Sequence, residues 1–139
     1  MSLFAALSIA GSGMSAESQR LAAVASNLAN ADSAIDSASA PYRAREVVFQ
    51  AVAPTDAGAG PARVGMAGVR VAGIVESPAP PRTVYDPGSS FADANGYVQM
   101  PNVDPIEEMV NMISAQQDYQ ADLEAFNAAK TLALRTLAI

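Results

Sequence analysis

Apolar residues recur at seven-residue intervals near both ends of the chain, with a different pattern between them. Leu7, Met14, Leu21 and Leu28 form one series, and Met112, Tyr119, Phe126 and Ala133 form another. Seven residues make two turns of a supercoiled helix, so each series draws a stripe suited to lying along a second helix. Phe4, Gly11, Ser18 and Ala25 occupy the matching positions beside the first stripe, which predicts a seam large on one side and small on the other. The pattern predicts a first helix over residues 1–30, its regular part starting near Leu3. Gly11 and Gly13 each cost about 1 kcal/mol relative to Ala inside a helix, but small residues also let a neighbouring backbone come close.

The second helix has a clear start. In Asp104-Pro105-Ile106-Glu107 a capping carboxylate, a first-turn proline and a capping-box Glu stand in the expected order. From there no Gly or Pro interrupts the chain, which predicts helix over 104–139. Glu107 and Glu108 lie near the positive end of its dipole, with Lys130 and Arg135 near the negative end. Beside the Met112 stripe runs another, Ile106, Ile113, Gln120, Asn127 and Leu134, and Met109, Leu123 and Leu137 widen the apolar face. Two stripes imply two neighbours, as for a helix in a bundle or tube. Gln116, Gln120, Asn127 and Lys130 interrupt that face; either they fix helix register or some of them face solvent.

Between the helices, residues 31–41 are rich in Ser, Asp and Ala and read as a loop. Residues 42–103 read as a small, loop-rich β unit with strands at Arg45–Val52, Gly68–Glu76, Thr83–Tyr85 and Tyr97–Met100. Asp56 to Gly60 reads as a flexible loop, Ser77 to Pro81 as an extended spacer, Asp86-Pro87-Gly88 as a turn and Asn95-Gly96 as a hairpin signal. The predicted class is therefore α+β: two long terminal helices forming a coiled-coil or tube wall, plus a small β middle.

Composition limits how much of this stands alone. Half of the 139 residues are apolar, but much of that half is alanine, aromatics are 6% and Trp is absent, so few large side chains can anchor a core. Burying a Leu or Met contributes roughly 1.5–3 kcal/mol, whereas ordering each backbone residue costs about 1–2 kcal/mol before hydrogen bonding offsets it. Four large anchors over the first helix leave it marginal in isolation. The expectation is an elongated molecule whose helices are ordered by partners.

The same composition narrows the chemistry. The chain has neither Cys nor His, which removes thiol nucleophiles, disulfides, imidazole bases and the usual zinc or haem ligands. Eight basic residues against fourteen acidic ones give a net charge of −6, which disfavours nucleic acid and anionic lipid. No stretch approaches the roughly 20 apolar residues needed to span a bilayer, and the N-terminus lacks a positive region and a convincing cleavage site. Asp104, Glu107 and Glu108 could be read as metal ligands or an acid–base pair, but a capped helix start accounts for all three. Gly11-Ser12-Gly13 lacks the Gly-Lys-Ser/Thr ending and the preceding strand of a phosphate loop. No enzyme, cofactor or metal is expected.

Val24-Ala25-Ser26-Asn27-Leu28-Ala29-Asn30-Ala31-Asp32 resembles the N-terminal motif of the bacterial flagellar axial proteins, the family that includes rod and hook subunits. Pro41-Tyr42-Arg43-Ala44, Val47 to Gln50, Gly68 to Ile74, Val84 to Gly88, Gly96 to Asp104 and Glu108 to Ala121 are similar to rod subunits in the same order, so the resemblance covers nearly the whole chain. The Gly96 to Asp104 run is the more specific part and suits the proximal rod, as does the longer Ser and Ala segment before Pro41-Tyr42. The resemblance implies a structural subunit, exported unfolded by the flagellar type III apparatus without a cleaved signal. Such a subunit assembles helically in the periplasm with copies of itself and with FliE, FlgB, FlgF and FlgG, into a rod that transmits torque from motor to hook. Stripes and resemblance together make Leu7, Met14, Leu21, Val24, Asn27, Leu28 and Asn30 candidate inter-subunit contacts on the first helix. On the last helix the candidates are Met109, Met112, Ile113, Tyr119, Leu123, Phe126, Leu134 and Leu137. The alternative is an intracellular helical adaptor that binds one partner through the same stripes.

Overall fold

A computed structural model describes residues 3–34, 39–52 and 68–137. Its elements follow in the order α1 (Leu3–Asn30), β1 (Arg45–Val52), β2 (Gly68–Glu76), β3 (Arg82–Tyr85), β4 (Tyr97–Met100) and α2 (Pro105–Leu137). The class is α+β, with a helix at each end and short strands between. The expected loop at Asp56–Gly60, and residues 35–38 of the expected 31–41 loop, lie outside the described residues.

Helix α2 starts at the expected capping aspartate. Asp104 Oδ1 accepts the Ile106 amide at 2.9 Å, and the Glu108 amide reaches the Asp104 carbonyl at 3.0 Å. Acidic Glu107 and Glu108 in its first turn and Arg135 in its last complement the dipole. Helix α1 has no such charges, and side chains tie off its end instead. Asn30 Nδ2 donates back to the Ser26 carbonyl at 2.8 Å, while the Ser33 amide and hydroxyl both reach the Asn30 carbonyl, at 3.1 and 2.8 Å. Asn30 thus ends the helix by side-chain bonding, without left-handed backbone, since no described residue other than Gly has a positive φ.

Strands β1 and β2 pair as one two-stranded sheet and β3 and β4 as another. The second is antiparallel, from Arg82 opposite Met100 to Tyr85 opposite Tyr97. Pairing of Arg82 with Met100 starts β3 one residue before the expected Thr83. Asn95-Gly96 makes a turn, but not the tight two-residue hairpin its sequence suggests, because the connection spans residues 86–96. Successive turns bond Ser89 N–H to Asp86 O and Ala92 N–H to Ser89 O. Asp93 Oδ1 then accepts the Asn95 and Tyr97 amides at 2.8 and 2.9 Å. Gly96 takes φ +82°, and a Cβ there would meet Tyr85 Cε2 at 2.9 Å, so two constraints require glycine. Tyr85 and Tyr97 stack edge to face, 5.3 Å apart, where the strands meet the loop.

The described residues form two compact units. One contains α1 through Leu21, the strand segments 47–52 and 68–73, and α2 from Ser114 onward. The other contains residues 22–46 within the described segments and 74–113. In the latter, Ala31, Ala44 and Val103 make a small core with Tyr42 packed against it. Every buried apolar residue described is Ala or Val, apart from buried glycine and proline, which is the thin core that the composition implies.

Candidate subunit interface

In the second unit, α1 ends on an asparagine that serves its own chain. Asn27 is 1% exposed. Its Oδ1 accepts the Tyr42 hydroxyl at 2.9 Å and the Arg45 amide at 2.8 Å, and its Nδ2 donates to the Arg45 carbonyl at 2.9 Å. One amide side chain therefore pairs with the backbone of the first β1 residue as a neighbouring strand would. Ser26 Oγ lies 3.1 Å from the Tyr42 hydroxyl, and the Arg45 guanidinium sits 5.5 Å from the centre of the Tyr42 ring.

A second asparagine holds the same segment from the other side. Asn102 Oδ1 accepts the Ala44 amide at 2.8 Å, and its Nδ2 donates to the Ala79 carbonyl at 3.0 Å. The Ala44 carbonyl accepts the Ser77 amide at 2.8 Å. Backbone groups of Ala44 and Arg45, which a short strand end would leave unpaired, are thereby satisfied. Glu108 of α2 joins this cluster. Burial raises the pKa of its carboxyl, a hydrogen bond with Asn27 opposes the rise, and the neighbouring charges of Glu107 and Glu46 add to it. Its Oε2 is buried with no hydrogen-bond partner.

In the first unit the two helices approach through small residues. Ala10, Gly13 and Ala16 are buried on α1, and Ala115 and Ala129 on α2. A Cβ on Gly13 would overlap the Asp122 carboxylate, whereas one on Gly11 would meet nothing within 4 Å. Only Gly13 is the close-approach glycine. Arg20 of α1 reaches across to Asp118 of α2 at 3.3 Å and back to Glu17 at 3.4 Å, so the helices run antiparallel in this unit. Ser12 anchors the start of β2: its Oγ accepts the Val69 amide at 3.1 Å and donates to the Ile9 carbonyl at 2.7 Å. The Gly11-Ser12-Gly13 run thus has a packing role, with no phosphate chemistry needed to explain it.

The candidate contact residues divide into three groups. Leu7, Met14, Leu21 and Leu28 are half-buried, flanking the small residues at the seam's centre. Met112, Tyr119 and Phe126 are likewise half-buried, in register with Glu108, Ala115, Asp122 and Ala129. Val24 and Asn27 are buried within their own chain, and Asn30 is half-buried at the helix end. Met109, Ile113, Leu123, Leu134 and Leu137 are exposed. Ile106, 72% exposed, and Val110 are exposed on the same helix. The two stripes of α2 therefore do different work in the chain: the Met112 series faces inward and the Ile113 series outward. The matching positions expected beside the α1 stripe do not enter the seam, since Phe4 is 81% exposed and Ser18 and Ala25 also face out. Small neighbours at 10, 13 and 16 take that place because they allow the backbones closer. Gln116, Gln120, Asn127 and Lys130 are exposed.

Ser12, Tyr42 and Asn102 were not evident as positioning residues from periodicity, because each acts on backbone far away in sequence. No group of His, Cys, Asp or Glu among the described residues could hold a metal ion, and no described helix is long and apolar enough to cross a membrane.

Comparison with known proteins gives this arrangement a context. Residues 7–34 match the family model described as "Flagella basal body rod protein", and residues 94–139 match "Flagellar basal body rod FlgEFG protein C-terminal". The two matches fall on α1 and on β4 with α2. The chain is 50% identical to flagellar basal-body rod protein FlgC of Salmonella typhimurium over 139 residues, covering all of this chain and 98% of the relative. It is 52% identical to FlgC of Yersinia enterocolitica, over 100% and 98% of the two chains. FlgC of Bacillus subtilis is 35% identical over 149 residues, which span 100% and 99%.

Proposed function

The chain belongs to the FlgC family of flagellar basal-body rod proteins, and from that premise we propose that its exposed α2 face is the surface by which it joins the rod. It is a structural rod subunit of the flagellar basal body. The observation that carries the interface reading is the division of α2 into an inward stripe and an outward apolar one. Ile106, Met109, Val110, Ile113, Leu123, Leu134 and Leu137 are large apolar side chains left exposed along one helix.

In this reading Met109, Ile113, Leu123, Leu134 and Leu137 contact neighbouring subunits directly. Leu7, Met14, Leu21, Leu28, Met112, Tyr119 and Phe126 hold the subunit's own helices and edge the contact. Val24, Asn27 and Asn30 keep the end of α1 in the shape that neighbours meet. The subunit stands in the proximal rod, in the periplasm, next to FliE, FlgB, FlgF and FlgG, and reaches it through the type III export apparatus without a cleaved signal. Helical packing of such subunits transmits torque from motor to hook.

The test is a paired substitution on the outer stripe. Ile113→Asp and Leu134→Asp change residues with little intrachain contact, so the monomer's circular dichroism and melting should stay close to wild type. Incorporation into purified basal bodies should fail, because a carboxylate buried between helices has no partner. Rods that assemble normally from both variants would remove this face from the interface.

A further inference from the structure

Asp122 lies in an unusual place for a carboxylate. It projects from the inward stripe of α2 onto Gly13, where its oxygens occupy the space that any other residue's Cβ would fill. Among the described residues it makes no hydrogen bond and no ion pair. The charged groups that act on it are Glu17 on α1 and Asp118 on its own helix, and the nearby Arg20 is shared between those two carboxylates. Arg70, the charged residue on the strand segments of the same unit, is engaged by Gln50 at 2.8 and 3.1 Å. Two of these carboxylates share one guanidinium, and the half-buried third, Asp122, has no protein partner among the described residues.

We propose that the Gly13–Asp122 contact is a proton-operated latch on the helix pair, which holds more tightly when the Asp122 carboxyl is protonated than when it is ionised. A neutral carboxyl costs less to bury against a helix backbone and no longer repels Asp118 and Glu17. Burial raises the Asp122 pKa, and Asp118 raises it further; burial also raises that of Glu17, with Arg20 opposing. A carboxyl whose pKa is higher folded than unfolded stabilises the fold fully below its unfolded value. That contribution is lost as pH rises through the folded value. The helix pair therefore loosens toward neutral pH and closes under mild acid. A subunit built this way keeps its helices separable at neutral pH without losing the seam that joins them.

The test uses the dilute, monomeric full chain, so it does not depend on the rod assignment. Amide exchange of residues 13–21 and 115–122, corrected for intrinsic rates, is compared between about pH 4.5 and pH 7.5. Protection should be higher at the lower pH. Asp122→Asn should hold the tighter level at both values. If Asp122→Asn does not fold, Asp122→Ala, which also removes the charge and opens space above Gly13, replaces it. Glu17→Gln should retain the pH dependence. Protection that does not change with pH in the wild type, or that changes equally in the Asp122 variant, overturns the latch. Loss of the dependence in Glu17→Gln alone would also overturn it, by moving the titration to Glu17.

Discussion

A single amide side chain, that of Asn27, fixes where the first helix hands over to the first strand. It donates to the Arg45 carbonyl and accepts from the Tyr42 hydroxyl and the Arg45 amide while almost wholly buried. Removing it leaves the Arg45 amide and carbonyl without their side-chain partner, and buried groups left unpaired cost about 1–3 kcal/mol. Asn27→Ala should lower the urea midpoint accordingly, and Asn102→Ala should do the same by releasing the Ala44 amide. The two glycines of α1 give a sharper contrast. Gly11→Ala meets open space and should stabilise the monomer by up to about 1 kcal/mol through helix propensity. Gly13→Ala forces the Asp122 side chain to move, so it should stabilise the monomer less than Gly11→Ala does. Melting of the two variants side by side checks the order. From sequence both glycines look equally like close-approach sites, since nothing local says which side of the helix meets a neighbour.

At the scale of elements, periodicity located both helices and identified the inward series of α2, but on α1 it picked the edges of the seam. Leu7, Met14, Leu21 and Leu28 are large enough to mark the stripe and too large to sit where the backbones come closest. Ala10, Gly13 and Ala16 sit there, and small residues carry little weight in a hydrophobic pattern. Leu21→Asp probes an edge position: most of its surface is already covered in the monomer, so it should weaken helix pairing as well as assembly. Its melting loss should therefore exceed that of Ile113→Asp, which lies on the outer stripe. Equal melting losses in the two variants would mean that the stripes are not divided as the burial indicates. Strand positions were legible to within a residue because alternating Val residues and turn residues bracket them. The long 86–96 connection was not, since Asp93 closes its last turn by reaching forward to Asn95 and Tyr97.

For the whole molecule, three carboxyls among the described residues are raised above their ordinary values chiefly by burial: Glu17, Glu108 and Asp122. Each is easier to protonate folded than unfolded, so each adds stability as pH falls from neutral toward the ordinary carboxylate range. The full chain's urea midpoint should be higher at about pH 5 than at about pH 7.5. An unchanged or falling midpoint would show that other carboxylates dominate. The thin Ala and Val core also predicts weak protection of the terminal helices in dilute monomer. Fast amide exchange over 3–30 and 104–137 should slow on incorporation into rods, and strong protection in the free chain would contradict that expectation.

The sequence by itself determined the element order, the start of α2, the two-sidedness of that helix and the absence of thiol or imidazole chemistry. Those follow from local rules, because caps, periodicity and residue type act within a few turns of chain. Tertiary structure decided that Asn27 and Asn102 clamp the start of β1, that Gly13 rather than Gly11 admits the second helix, and that Asp122 faces it unpaired. Each of these depends on which distant segment arrives at a given side chain. Local pattern carries no record of that distance.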